Sequence, residues 1–153
     1  MENASTASVV SAAGLVKPQL KFLYADDLPL FTTSAVYQPG TPINPDLNGI
    51  LFPDIPWLLD PDQTAREDQL ALKRYWGTAA VRLSRLHAMG YDAYRLTALL
   101  YAQPGEGANI YRGMTGTLSI DSKGQIHRTL DWARIERGGP RLVPRLPTSL
   151  MPS

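Results

Sequence analysis

The run Gly49-Ile50-Leu51-Phe52-Pro53-Asp54-Ile55-Pro56-Trp57 constrains this chain more than any other stretch. Its apolar part is far shorter than the roughly 20 residues a helix needs to cross a bilayer. Pro53 and Pro56 forbid a regular helix through it. The run therefore reads as a short buried strand over Gly49 to Ile55, ending in a proline hook that leaves Asp54 and Trp57 at an edge. Ligands of open α/β sheets gather beyond the carboxyl ends of the strands, so the hook is the first place to look for function.

At 153 residues the chain is long enough to bury roughly 70% of its unfolded surface in one domain. An apolar fraction of 44% is ordinary for a globular protein, and the 13 prolines fall in loops between the apolar runs. A net charge of +1 supplies no field for nucleic acid or a membrane surface. The charge is uneven, however: residues 1–60 carry two Lys/Arg against six Asp/Glu, and residues 112–145 carry seven against three. The simplest reading is a solvated basic surface that complements the acidic half. With no cysteine, disulfides and thiolate chemistry are excluded within the chain. The start, Met1 to Thr6, has neither the basic region nor the apolar core of a signal peptide, so an exported parent would be longer than this chain.

Along the chain, residues 5–16 read as a small-residue helix, with Pro18 starting or kinking a second turn that Asp26-Asp27 closes. Leu28 to Ser34 has strand composition, and a loop with prolines at 39, 42 and 45 leads to the opening strand. Asp60-Pro61-Asp62 predicts a helix start, with Asp60 as cap and Pro61 at the first helical position, running to Trp76 and interrupted by Gly77. A second helix over 79–103 should present Leu83, Leu86, Tyr94, Leu96, Leu99 and Leu100 as one apolar face and end at Pro104-Gly105. Thr117 to Ile120 alternates with period two, Asp121 to Gly124 is a turn, and Gln125 to Asp131 returns antiparallel. Trp132 to Arg137 continues as strand to a turn at Gly138-Gly139-Pro140, and residues 145–153 read as a disordered tail.

No constellation of side chains argues for an enzyme. His87 and His127 match no zinc spacing, so no metal is expected. Ser34, His87 and Asp92 supply the residue types of a triad without the Gly-x-Ser-x-Gly elbow. The Gly105–Gly107 and Gly113–Gly116 segments lack the lysine and the strand-then-helix context of a phosphate loop, and no cofactor is expected. The acidic pairs Asp26-Asp27 and Asp60/Asp62 suit capping. Trp57, Trp76 and Trp132 suit packing, because no basic stripe interleaves them.

Two blocks in the second half carry a resemblance. Met89-Gly90-Tyr91-Asp92-Ala93-Tyr94 opening an apolar helix, then Gly113-Met114-Thr115-Gly116-Thr117-Leu118-Ser119-Ile120-Asp121-Ser122-Lys123-Gly124, resemble the end of type I periplasmic-binding proteins. Taken with Pro18 to Phe22, Asp27 to Ser34, Gly49 to Trp57 and Arg85 to Gly90, the chain resembles the LppC/LpoA family over residues 8–144. These are outer-membrane lipoproteins that activate a penicillin-binding protein.

The resemblance implies an α/β fold: part of a periplasmic-binding-protein type I lobe, with a short mostly parallel sheet, flanking helices and a C-terminal antiparallel hairpin. Residues 1–144 would be the C-terminal portion of that domain. The chain to about Ile55 would finish one lobe, the helices would cross to the other, and the hairpin from Gly116 would return. Most strands of the other lobe would be missing, so the helices between Asp62 and Gln103 should cover their apolar face with the chain's own sheet or with a second copy. The implied role is non-enzymatic: periplasmic regulation of peptidoglycan (cell-wall) biosynthesis by docking on a class A penicillin-binding protein, with membrane attachment only through a lipid anchor absent from this chain. The alternative is a solute-binding module for an amino acid or other small metabolite. Ser34, Tyr37, Asp54 and Trp57, at the two strand ends, are the expected cleft or docking positions.

Overall fold

A computed structural model of the chain describes residues 14–20, 22–24, 28–102 and 110–144. In chain order the elements are helix α1 (residues 14–20), 3-10 turns at Ser34–Val36 and Pro45–Leu47, strand β1 (Leu51–Asp54), helices α2 (Pro56–Leu59), α3 (Gln63–Trp76), α4 (Thr78–Arg82) and α5 (Ser84–Ala102), and strands β2 (Ile110–Arg112), β3 (Thr117–Ile120), β4 (Ile126–Thr129), β5 (Asp131–Glu136) and β6 (Gly139–Leu142). The expected helix over 5–16 up to residue 13, the Asp26-Asp27 close, the Pro104-Gly105 stop and the 145–153 tail lie outside the described residues. The chain forms two compact units, residues 1–54 with 132–153 and residues 55–131. It leaves the first unit directly after β1, where the proline hook begins. It returns at Trp132, beyond the β3–β4 hairpin, so that hairpin belongs to the helical unit and not to the unit it was expected to rejoin.

The first unit is built around β1. Its sheet has the order β1–β5–β6, and the core gathers Val36, Leu47, Ile50, Leu51, Phe52, Ala133 and Ile135. Both faces of β1 are covered, as its unbroken apolar run requires. Phe31 meets Trp132 edge-on at 5.7 Å, and Tyr37 tilts onto Phe52 at 5.9 Å. The predicted strand over Leu28 to Ser34 shrinks to a parallel bridge between Phe31 and Leu51, with Thr32 N–H on the Leu51 carbonyl and Leu51 N–H on that of Leu30, each 2.9 Å. Pro29 has no N–H to extend the pairing, and the turn at Ser34–Val36 ends it on the other side. β6 starts at Gly139 and includes Pro140, so the turn is shorter than predicted.

The second unit holds α2 to α5 and the sheet β2–β3–β4. The α/β character and the antiparallel hairpin are as the sequence implies. The sheets are less parallel than expected: β2 with β3, β3 with β4, and β5 with β6 all pair antiparallel. The connections between these partners are a few residues long, whereas a parallel crossover needs a dozen or more.

The helix start also shifts. Asp60 ends α2, and the cap of α3 is Asp62, whose Oδ1 accepts the Ala65 N–H at 2.7 Å. Pro56 starts a helical turn directly after the strand, so Asp60 is consumed in closing it and the next cap falls two residues later. α3 stops at Gly77, which takes the left-handed φ of 55°. α5 runs straight through Gly90.

The buried face of α5 keeps Leu96 and departs from the rest of the expected one. Ser84, Ala88, Asp92 and Leu96, spaced four apart, point inward, while Leu83, Leu86, Tyr94, Leu99 and Leu100 are exposed. The helices therefore do not cover their large apolar residues with the chain's own sheet. The core of this unit is Ile55, Trp57, Ala65, Ala88 and Met114, flanked by Leu58, Leu72, Tyr91 and Leu130, a contact that small residues on α3 and α5 make close.

Candidate functional site: a carboxylate clasp and a strand-end cluster

The most strongly determined polar arrangement joins the two sequence blocks Tyr91-Asp92-Ala93 and Gly113-Met114-Thr115-Gly116. Asp92 is on the inward face of α5 and only 3% exposed. Its Oδ1 accepts the Met114 N–H at 2.8 Å; its Oδ2 accepts the Thr115 N–H at 2.7 Å and the Thr115 hydroxyl at 2.6 Å. Burying a carboxylate is costly unless its oxygens are hydrogen-bonded, and here the loop before β3 supplies three donors.

Both glycines of the loop are explained by this contact. A Cβ on Gly113 would lie 2.5 Å from Asp92 Oδ2, so no side chain fits while the clasp is closed. Gly116 has a φ of 138°, and a Cβ there would collide with the Thr129 carbonyl of the hairpin. Gly113 N–H closes the turn on the Gly116 carbonyl at 2.8 Å.

Trp57 completes the same assembly from the proline hook. Its N–H donates to the Met114 carbonyl at 3.0 Å, and its own carbonyl accepts Gln69 Nε2 from α3 at 2.6 Å. The indole is 2% exposed in the core. One loop thus receives α5 through Asp92 and the hook through Trp57. At the other end of the loop, Arg112 makes a two-pronged contact to Asp131, at 2.9 and 2.6 Å, which ties β2 to the last residue of the same unit.

The other predicted positions fall in the first unit. Ser34 opens the 3-10 turn, and the Tyr37 N–H donates to its carbonyl at 3.2 Å. Tyr37 leans on Phe52, which shares a face of β1 with Asp54 two residues on. Ser34 and Tyr37 are half-buried and Asp54 is 1% exposed. Three of the four positions therefore collect around the end of β1, while Trp57 belongs to the helical unit.

The triad types do not make a catalytic unit. Asp92 is committed to the loop, and His87 packs edge-on against Trp76 at 5.3 Å. Among the described residues no three His, Asp or Glu side chains gather as metal ligands, and no helix is long and apolar enough to cross a membrane. At the hairpin turn Asp121 accepts the Lys123 and Gln125 N–H groups and meets His127 Nε2 at 2.9 Å. The His127 contact first, then the backbone donors, hold its carboxyl below the usual carboxylate range.

In the sequence Asp92 is a triad type and a member of the Tyr91-Asp92-Ala93 block, and neither reading reveals the clasp. The available signal was the pairing of an Asp in an apolar helix with a loop of two glycines and a threonine. The sequence also hides the contact of Arg95 with Tyr91 and Tyr111, whose partners are separated by half of α5 and the segment that follows it.

Comparison with known proteins agrees with this geometry. The family model described as "LppC putative lipoprotein" matches residues 5–138. The penicillin-binding protein activator LpoA of Vibrio antiquarius is 33% identical over 126 residues, 81% of this chain and 20% of that protein. Its counterpart from Photobacterium profundum is 36% identical over 90 residues, 59% of this chain and 14% of that protein. Among solved structures, the C-domain of Haemophilus influenzae LpoA (YraM), described as a regulator of PBP1A, aligns with a TM-score of 0.63 and 25% identity, over 88% of this chain and 42% of that one. A "putative branched-chain amino acid ABC transporter" from Chromobacterium violaceum aligns with a TM-score of 0.58 and 29% identity, over 82% and 39%. The chain spans about a fifth of the length of the Vibrio relative. Both blocks of the clasp lie inside the matched region, and this chain belongs to the LppC family of lipoproteins.

Proposed function

We propose that this chain is part of a non-enzymatic periplasmic regulator of peptidoglycan synthesis, a segment of an outer-membrane-anchored lipoprotein that binds and activates a class A penicillin-binding protein. The observation that carries the reading is the family match over residues 5–138, together with relatives named penicillin-binding protein activators. The geometry favours contact over chemistry. The carboxylate of Asp92 spends its acceptors on its own chain. A group so engaged is a structural tie. Ser34 and Tyr37 are the half-buried members of the strand-end cluster and the proposed docking positions there, beside the buried Asp54. The test is a pull-down of purified class A penicillin-binding proteins by the full-length parent. Retention of the synthase is expected, and absence of binding overturns the reading.

A second reading, a solute-binding module for an amino acid or other small metabolite, draws on the alignment to the Chromobacterium protein. Under it, melting temperatures rise with the concentration of one amino acid. Under the first reading, amino acids leave the melt unchanged.

A further inference from the structure

Arg95 projects from the middle of α5 as an exposed side chain beside two tyrosines. Its guanidinium carbon lies 5.6 Å from the centre of the Tyr91 ring and 5.9 Å from that of Tyr111, both within cation–π range. One guanidinium nitrogen also reaches the Tyr91 hydroxyl at 3.4 Å. The two rings are themselves fixed. Tyr91 packs on the core of the helical unit, and Tyr111 sits in β2 opposite Leu118 of β3. The Tyr111 phenol, pushed above its ordinary range by burial, is a neutral partner for the guanidinium.

Arg112, close in sequence to Tyr111, provides the contrast, because both prongs of its guanidinium are spent on Asp131. Among the described residues Arg95 is paired with no carboxylate. An arginine held by two rings, exposed and with more donors than the tyrosine hydroxyls engage, is organised in advance for a planar, two-oxygen acceptor. Tyrosine and arginine together are also the residues that dominate protein interfaces.

We propose that Arg95, braced by Tyr91 and Tyr111, is an anchor for a carboxylate presented by a protein partner, an Asp or Glu side chain on an acidic segment. The site goes beyond the regulatory reading and does not depend on which protein supplies the carboxylate.

The test titrates the whole chain, followed by nuclear magnetic resonance of the arginine Nε–H and tyrosine ring signals, with an oligoglutamate peptide, acetate and inorganic phosphate at matched ionic strength. The peptide is expected to shift the Arg95, Tyr91 and Tyr111 signals saturably. Arg95→Lys, which keeps the charge and loses the fork, should weaken binding about tenfold, as should Tyr111→Leu. Arg128→Lys on the exposed hairpin should change nothing. Equal binding by Arg95→Lys, or an equal loss with Arg128→Lys, would show general charge attraction and overturn the proposal. Saturation by phosphate without the peptide, or by acetate as tightly as by the peptide, overturns it in favour of a small anion. If a variant fails to fold, the wild-type shifts decide: perturbation spread over all exposed arginines refutes the site.

Discussion

The two units solve the problem of stability in opposite ways. In the first, large side chains do the work: Phe52, Leu47, Ile50 and Ile135 are all but fully enclosed. In the second, the cluster at the centre among the described residues is Ile55, Trp57, Ala65, Ala88 and Met114, two of them alanines, while Leu70, Trp76, Leu86, Met89 and Leu100 face outward. What holds the second unit is a set of directional contacts on the 113–116 loop, three from Asp92 and one from Trp57. A strand buried on both faces tolerates imprecision in any single polar contact. A helical unit with a thin core does not.

The sharpest way to break this contrast is to remove one member from each side. Phe52→Ala leaves a cavity in the first unit and should cost about 4 kcal/mol in urea unfolding. Asp92→Ala strands three donors and should cost about 3 kcal/mol, a large loss for a side chain of its size. Hydrogen exchange sharpens the comparison: Asp92→Ala should speed exchange at Met114 and Thr115 while leaving Ile135 protected. Uniform acceleration in both units would contradict the division.

Gly113→Ala comes next, at about 2 kcal/mol, because its Cβ would drive into the clasp. In the Asp92→Ala background the same change should cost little more, since the group it collides with is gone. A double-mutant cycle reads the difference directly. Additive losses would mean that Gly113 is constrained by something other than Asp92.

Leu86, Met89, Ala93 and Leu100 recur on one line of α5, and a second copy of the chain is the proposed cover for this face. Sedimentation should give a dimer for the chain, with Leu86→Glu shifting it to monomer while altering stability by no more than about 0.5 kcal/mol. A wild-type monomer would contradict that cover.

The smallest effect is at the hairpin. The Asp121 carboxyl is held below its usual 3.8, so its contribution is present above that value and is lost as pH falls through the lower folded-state value. Amide shifts of Lys123 and Gln125 should titrate below pH 3.8 in the wild type and stay flat in Asp121→Asn. The side chain is partly exposed, at 31%, and solvent screens the contact, so global stability should barely register the change.

These contrasts also separate what sequence reasoning reaches from what it misses. The β1 run, the Gly77 stop and the Asp121–Gly124 turn were legible because each follows from local chemistry: burial pattern, a left-handed residue, a side chain capping its own turn. The inward face of α5 was not. Counting large apolar residues selects the face with most area, whereas the closest packing in this unit selects the face with Ala88 and Asp92. The early end of the first predicted strand was hidden because Pro29 interrupts pairing that composition alone would favour. The prolines around Trp57 predict an edge position, but the hook turns its indole into the core. The Asp92 clasp spans 22 to 23 residues of sequence, and no periodicity reports on a contact of that separation.

The central claim is that a protein containing this chain acts by contact on a cell-wall synthase. The direct measurement is peptide cross-linking by a purified class A penicillin-binding protein with and without the full-length parent. The account predicts faster cross-linking that saturates with parent concentration, and no turnover by the parent alone. A cross-linking rate indifferent to the parent at every concentration would contradict it.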